Sequence, residues 1–127
     1  MDRIRSIRDG HRDRGQVALE YIGFLPFLLL VGLGGIQLGW TAYVTQQAET
    51  AARTAARVEA RYPGEGEAAG RASIRPSLGT AASTVVHVAP LPDTVTATVT
   101  ITINSVVPGI ASRPVTRIVV MPNEDPR

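Results

Sequence analysis

The segment from Tyr21 to Val44 is the feature that most limits what this chain can fold into, because none of its 24 residues is charged. A helix of that length spans roughly 36 Å at about 1.5 Å per residue, which is enough to cross a hydrocarbon layer about 30 Å thick with some tilt. A soluble core helix would carry a polar face, and here Gln37 is the most polar side chain. The segment therefore predicts a single transmembrane helix.

The charges around this segment predict its orientation. Five of the 13 arginines precede it, and the chain has no lysine. The positive-inside rule then places residues 1–15 in the cytoplasm as a basic leader, residues 16–44 in the membrane and residues 45–127 outside. A signal peptide is the competing interpretation, but its apolar core is usually about 7 to 15 residues long. The longer segment here includes Trp40 and Tyr43, which are typical of a membrane interface, so retention is favoured over release as a secreted protein.

The alanine-rich stretch after the span predicts a continuation of the same helix outside the membrane, over residues 45–62. We expect one helix from about Val17 to Tyr62, kinked rather than ended by Pro26. One face of its outer half is apolar and the other is charged, and we expect the charged row to be solvated rather than a binding patch. The apolar face is Ala48, Ala52, Ala55 and Val58, and the charged row is Glu49, Arg53, Arg57 and Arg61.

The last third of the chain has the pattern of β-strands. Residues Thr94–Ile103 alternate strictly between threonine and an apolar residue, as in a half-buried strand. Shorter candidates are Thr84–Val88 and Pro114–Val120, in a β-rich region over residues 80–121, and a short helix is expected near Glu67–Arg75. We expect an α+β fold in which a small antiparallel sheet packs on the alanine face of the long helix, since so small a sheet needs a partner.

The composition excludes several kinds of chemistry. There is no cysteine, so the chain has no disulfide and no thiol nucleophile, and a net charge of +2 does not indicate a nucleic-acid partner. His11 and His87 have no partners at metal-ligand spacing, and we expect both at the surface. No catalytic residue, metal site or cofactor is predicted.

The junction between the leader and the apolar segment is the most informative stretch. Glu20 is an ionisable residue at the edge of a membrane helix, where it needs an interfacial position, a favourable helix dipole or a partner. Gly15 precedes it by five residues, and this arrangement resembles the processing site of type IV pilin-like proteins, which a membrane aspartyl peptidase cuts after a glycine. The following Tyr21 matches the Glu-Tyr pair of the Flp branch of that superfamily.

The wider pattern resembles the TadE-like family of Tad pilus assembly proteins, with its RGQ start, an LP pair in the apolar run and an alanine-arginine helix. The matching residues are Arg14, Gly15, Gln16, Glu20, Leu25, Pro26, Tyr43, Ala51, Ala52, Arg53, Ala56 and Arg57. The resemblance implies a non-enzymatic pseudopilin of the bacterial cytoplasmic membrane with a pilin-like fold. Its implied partners are pilin or other pseudopilin subunits, prepilin peptidase and membrane lipid. The chain departs from type IV pilins at Gln16, where their mature chain begins with phenylalanine.

The resemblance also implies roles for single residues. Cutting would occur between Gly15 and Gln16, and Glu20, next to Tyr21, would then pair with the new terminal ammonium group of a neighbouring subunit. Further along the helix, Gly35 and Gly39 have the GxxxG spacing that permits close helix packing, with Gln37 placed to hydrogen-bond across such a contact. The alternative function is an unprocessed bitopic protein whose outer domain binds a partner or a cell-wall component.

Overall fold

The computed structural model describes the backbone over residues 6–76 and 84–124, and the side chains of those ranges from Gly15 onward. The elements follow in the order α1 (Ser6–Arg61), α2 (Gly66–Ala72), β1 (Thr84–Pro90), β2 (Thr94–Ile103) and β3 (Arg113–Pro122). The contacts divide the chain into two compact units, Met1–Ile36 and Gln37–Arg127. The expected α+β fold, a long N-terminal helix with a small antiparallel sheet, is confirmed.

Helix α1 begins earlier than the sequence predicts. It is helical from Ser6, so the expected start near Val17 is wrong, whereas its end at Arg61 agrees with the prediction to one residue. Nothing before Pro26 breaks a helix, because Gly10 and Gly15 each weaken it by only about 1 kcal/mol. Pro26 lies inside α1 without ending it, as expected.

The sheet has the order β1-β2-β3, with antiparallel pairing throughout. Strand β2 has the expected bounds, and its residues alternate between buried and half-buried along its whole length. Its buried side chains share one core with alanines of the outer half of α1, which confirms that the apolar face of the sheet packs on the alanine face. Val58, expected on that face, is only half-buried. The buried alanines of α1 are Ala48, Ala51, Ala52, Ala55, Ala56 and Ala60.

Two glycines bring α2 close to α1. A Cβ atom on Gly66 would lie 2.7 Å from the carbonyl oxygen of Ala55, and one on Gly70 would lie 2.9 Å from the Ala55 Cβ atom. Only residues without a side chain fit at these two positions. The turn before α2 also requires glycine, since Gly64 has a φ of +92°. Helix α2 ends three residues before the expected Arg75.

The two connections in the sheet differ in length. Three residues, Leu91 to Asp93, join β1 to β2, and their turn is closed by a 2.7 Å hydrogen bond from the Leu91 N–H to the Thr94 carbonyl. Nine residues, Asn104–Ser112, join β2 to β3. Since β2 has ten residues, these connections lie about 30 Å apart at opposite ends of the sheet.

Candidate membrane anchor and assembly site

The first half of α1 exposes large apolar side chains on every side. Its most apolar stretch has a mean hydropathy of 2.0, and no part of that stretch is buried. A core helix of a soluble protein would instead be largely covered, so this surface fits a helix surrounded by lipid. The exposed residues are Val17, Leu19, Tyr21, Ile22, Phe24, Leu25, Phe27, Leu28, Leu29, Leu30, Val31 and Ile36.

The residues of the predicted processing site lie at the start of this apolar surface. Gly15 and Gln16 are helical and exposed, and a Cβ atom on Gly15 would meet no other atom within 4 Å. Glu20 and Tyr21 follow on the same helix and are also exposed. Among the described residues, Glu20 has no hydrogen bond or ion pair. The structure leaves these side chains accessible to a second protein, and their roles in processing and assembly stay predictions.

The predicted helix-packing residues have different surroundings. Gly35 and Gly39 are exposed, with open space where a Cβ atom would be. Gln37 is half-buried, and its side-chain oxygen Oε1 accepts a hydrogen bond of 2.9 Å from the N–H of Val106 in the same chain. Its carbonyl oxygen accepts one of 2.8 Å from the Thr41 hydroxyl. The side-chain oxygen of Gln37 therefore already has a partner within the chain, and the role of Gln37 in helix packing stays a prediction.

Trp40 and Tyr43 form an aromatic pair where α1 meets the core. Their ring centroids are 5.8 Å apart, and Tyr43 packs against the core while Trp40 is 38% exposed. Indole and phenol rings have an apolar body and one polar group, so they suit the boundary between hydrocarbon and headgroups. The structure thus keeps these two residues available as an interfacial anchor.

The charged row on the outer half of α1 is solvated, as the sequence indicates. Glu49 and Arg53 form the expected ion pair one turn apart, and both side chains are substantially exposed. Arg57 is exposed, and Nε of Arg61 lies 3.2 Å from Oε2 of Glu124 after the last strand. Exposed pairs of this kind contribute at most about 1 kcal/mol each, so the row mainly keeps this face of the helix in water.

Sequence reasoning missed Glu59, a charged residue that is only 6% exposed. Its Oε1 accepts a hydrogen bond of 2.8 Å from the Gly64 N–H, and its Oε2 accepts one of 2.9 Å from the Gly66 N–H. These contacts hold the turn that joins α1 to α2. A glutamate shortly before a proline-glycine turn is the signal that points to such a role, since the turn has backbone N–H groups without strand or helix partners.

Two cavities lie on the part of the chain that contains the sheet. A cavity of about 440 Å³ lies between Arg71, Arg75 and Thr84, and another of about 380 Å³ lies beside Glu59, Pro63 and Leu91. Within the part of the chain that the structure describes, no three His, Asp or Glu side chains are placed to hold a metal ion. His87 is exposed as expected, 3.5 Å from a Glu67 oxygen, whereas His11 lies outside the described side chains.

Comparison with known families identifies one similarity. The model of the TadE-like protein family matches residues 15–57, about a third of the chain, which confirms the resemblance seen in the sequence. Comparison with curated proteins and with solved structures gives no match. TadE-like proteins are structural components of pili rather than enzymes, and the match together with the exposed apolar helix fits a membrane-anchored component of a Tad pilus.

Proposed function

We propose that this chain, whose residues 15–57 are TadE-like, is a non-enzymatic pseudopilin that helps to assemble a Tad/Flp-type pilus or a related secretion apparatus. One observation carries the proposal. The family match begins at Gly15, the glycine of the predicted processing site, and the uncharged, membrane-length part of α1 follows directly after Glu20. The matched residues therefore include the segment that would be cut, inserted in the membrane and packed against other subunits.

The geometry of α1 suggests how the cut chain would assemble. Cleavage after Gly15 creates a terminal ammonium group on Gln16, about 6 Å along the helix from Glu20. Since the Glu20 carboxylate is exposed and has no partner within the described residues, it is free to meet the ammonium group of a neighbouring subunit. Pairing at the membrane edge avoids leaving either charge alone in a medium of low dielectric constant.

Processing is the step that tests the proposal. Mass spectrometry of the protein extracted from membranes of cells with an active prepilin peptidase should give a chain that begins at Gln16. In the Gly15→Ala variant we expect the longer precursor, because the peptidase requires an unhindered backbone at the cut. The new methyl group meets nothing in the folded chain, so misfolding does not explain a loss of cutting.

Gly10→Ala is the matched control, since it alters a glycine in the leader away from the cut. It should be processed like the parent chain. If residues 1–15 remain attached to the parent protein in the presence of active peptidase, the processing hypothesis is wrong and the unprocessed bitopic alternative takes its place.

A further inference from the structure

The connection between β2 and β3, here called the apolar loop (Asn104–Ser112), is unusual for a hairpin. It has nine residues and no charge, whereas most hairpin loops have two to five. Val106 is 48% exposed and Ile110 is 52% exposed. The turn at the other end of the sheet is short and includes the charged Asp93. Its uncharged composition and its exposed apolar side chains suit an apolar partner.

The apolar loop touches α1 at the level of the aromatic pair. The hydrogen bond from the Val106 N–H to Gln37 Oε1 fixes this contact. Gln37 precedes Trp40 by three residues, so it lies about 4.5 Å further toward the membrane-spanning part of the helix. Tryptophan and tyrosine concentrate at the interface between hydrocarbon and headgroups. If Trp40 and Tyr43 mark that interface, the apolar loop lies at the same depth.

Most backbone N–H groups at the centre of the apolar loop are hydrogen-bonded within the chain. Pro108 has no N–H, and three of the four N–H groups between Val106 and Ile110 are donated within the chain. Val106 donates to Gln37, Val107 to the Ser105 hydroxyl, and Ile110 to the Val107 carbonyl. With Pro108 and then Gly109 at φ +83°, this last bond closes a type II turn. Pairing these donors within the chain lowers the cost of moving this turn from water into the headgroup region.

We propose that the apolar loop dips into the outer leaflet of the membrane, where Val106 and Ile110 contact lipid at the level of the headgroups and upper acyl chains. The outer domain is then held at the bilayer by two elements, α1 and the loop, and its orientation is fixed. This inference rests on the membrane anchorage in the proposed function, but on neither processing nor pilus assembly.

The absence of cysteine from the chain allows a direct test with single labels. The full-length chain would be placed in vesicles of phosphatidylethanolamine and phosphatidylglycerol, with an environment-sensitive fluorophore on Ile110→Cys. Leu91→Cys is the matched control, because Leu91 is 55% exposed in the turn at the opposite end of the sheet. Leu29→Cys, in the apolar half of α1, is the standard for a position in lipid. Val106→Cys repeats the measurement at a second position of the loop.

We expect the Ile110 and Val106 labels to show blue-shifted emission, to be quenched by spin-labelled lipids with a shallow nitroxide, and to lose most of their quenching by aqueous iodide. The Leu91 label should show no blue shift, no quenching by the spin-labelled lipids and full quenching by aqueous iodide. The proposal is overturned if the Ile110 label behaves like the Leu91 label while the Leu29 label is in lipid. It is also overturned if the protection of Ile110 disappears when the protein is diluted with excess lipid, since a second copy would then be the partner. A Leu29 label exposed to iodide would show instead that the anchorage itself is wrong.

Discussion

Glu59 is an ionisable residue that is buried in the outer domain. Removing a carboxylate from water is costly unless its oxygens are hydrogen-bonded, and here each oxygen accepts one backbone N–H, from Gly64 and from Gly66. Hydrogen bonds to a charged acceptor are stronger than those between neutral groups. The side chain therefore stabilises a turn that has no other partners for these two donors among the described residues.

Replacing Glu59 should destabilise the outer domain. In Glu59→Ala the buried Gly66 N–H loses its acceptor, and we expect a loss of about 3 kcal/mol in the free energy of unfolding. For a domain of this size the thermal midpoint should fall by more than about 10 °C. The thermal midpoint is measured by circular dichroism of the chain in detergent. Glu59→Gln keeps one acceptor oxygen and should lose about half as much. An unchanged midpoint in Glu59→Ala would show that water replaces the carboxylate without cost.

Glu20, unlike the buried Glu59, is exposed, and its carboxylate is proposed to act only between subunits. Glu20→Gln keeps the shape and removes the charge, so we expect normal insertion and normal cutting after Gly15 but at least a tenfold loss of assembled material. The readout is the amount of protein in sheared pili or in cross-linked oligomers relative to the membrane pool. Glu49→Gln changes an exposed glutamate of the outer helix and should assemble normally. Equal assembly of both variants would assign Glu20 to the membrane interface alone.

These residues show what sequence patterns do and do not contain. Gln37 stands out in the sequence as the most polar side chain of an apolar segment, but its partner Val106 is 69 positions away. No local spacing connects the two, so the contact could be found only in the folded chain. Glu59 was missed for a related reason, because its partners are backbone groups, and only its position shortly before the Pro63–Gly64 turn points to them.

At the scale of the elements, the alanines of α1 allow the helix to approach both the sheet and α2. Ala55 is fully buried, and its carbonyl oxygen and Cβ atom are the nearest neighbours of the positions where Gly66 and Gly70 would carry side chains. Small residues on both helices leave no room between them. The packing here depends on close approach rather than on large apolar side chains.

Ala55→Leu tests this close approach. Leucine favours a helix nearly as well as alanine, so any loss reflects overpacking, for which we expect about 1–3 kcal/mol. The measurement is again the thermal midpoint in detergent. Ala42→Leu, at an exposed position of the same helix, is the matched control and should change the midpoint little. Similar midpoints for the two variants would mean that α2 moves aside at little cost.

The elements also differ in how well they could be predicted. Strand β2 was predicted residue for residue, because strict alternation over ten positions has one explanation in a half-buried strand. The start of α1 was not predicted. The leader has no apolar periodicity to indicate a helix, but it also contains nothing that would end one. Glycine is a weak helix former, so Gly66 and Gly70 by themselves do not indicate the helix α2, in which both allow close packing on α1.

At the scale of the whole molecule, one part of the chain has a surface suited to lipid and another has a surface suited to water. The apolar stretch of α1 has no cover within the described residues, while the outer half of the same helix shares a core with the sheet and turns its arginines to water. We expect such a chain to adopt one orientation in a bilayer, with the arginine-rich leader on the cytoplasmic side.

That orientation is the last prediction, and the cysteine-free sequence again makes it measurable. A maleimide that does not cross membranes, added to cells stripped of their wall, should label Leu91→Cys, because the turn before β2 is exposed on the outer domain. It should label Ser6→Cys only after the membrane is permeabilised, because the five arginines of the leader favour the cytoplasmic side. The Gly15→Ala background keeps the leader attached during the measurement. If Ser6→Cys is labelled in sealed cells and Leu91→Cys is protected, the predicted topology is wrong. The sheet would then lie in the cytoplasm, on the side of the membrane opposite to a surface pilus.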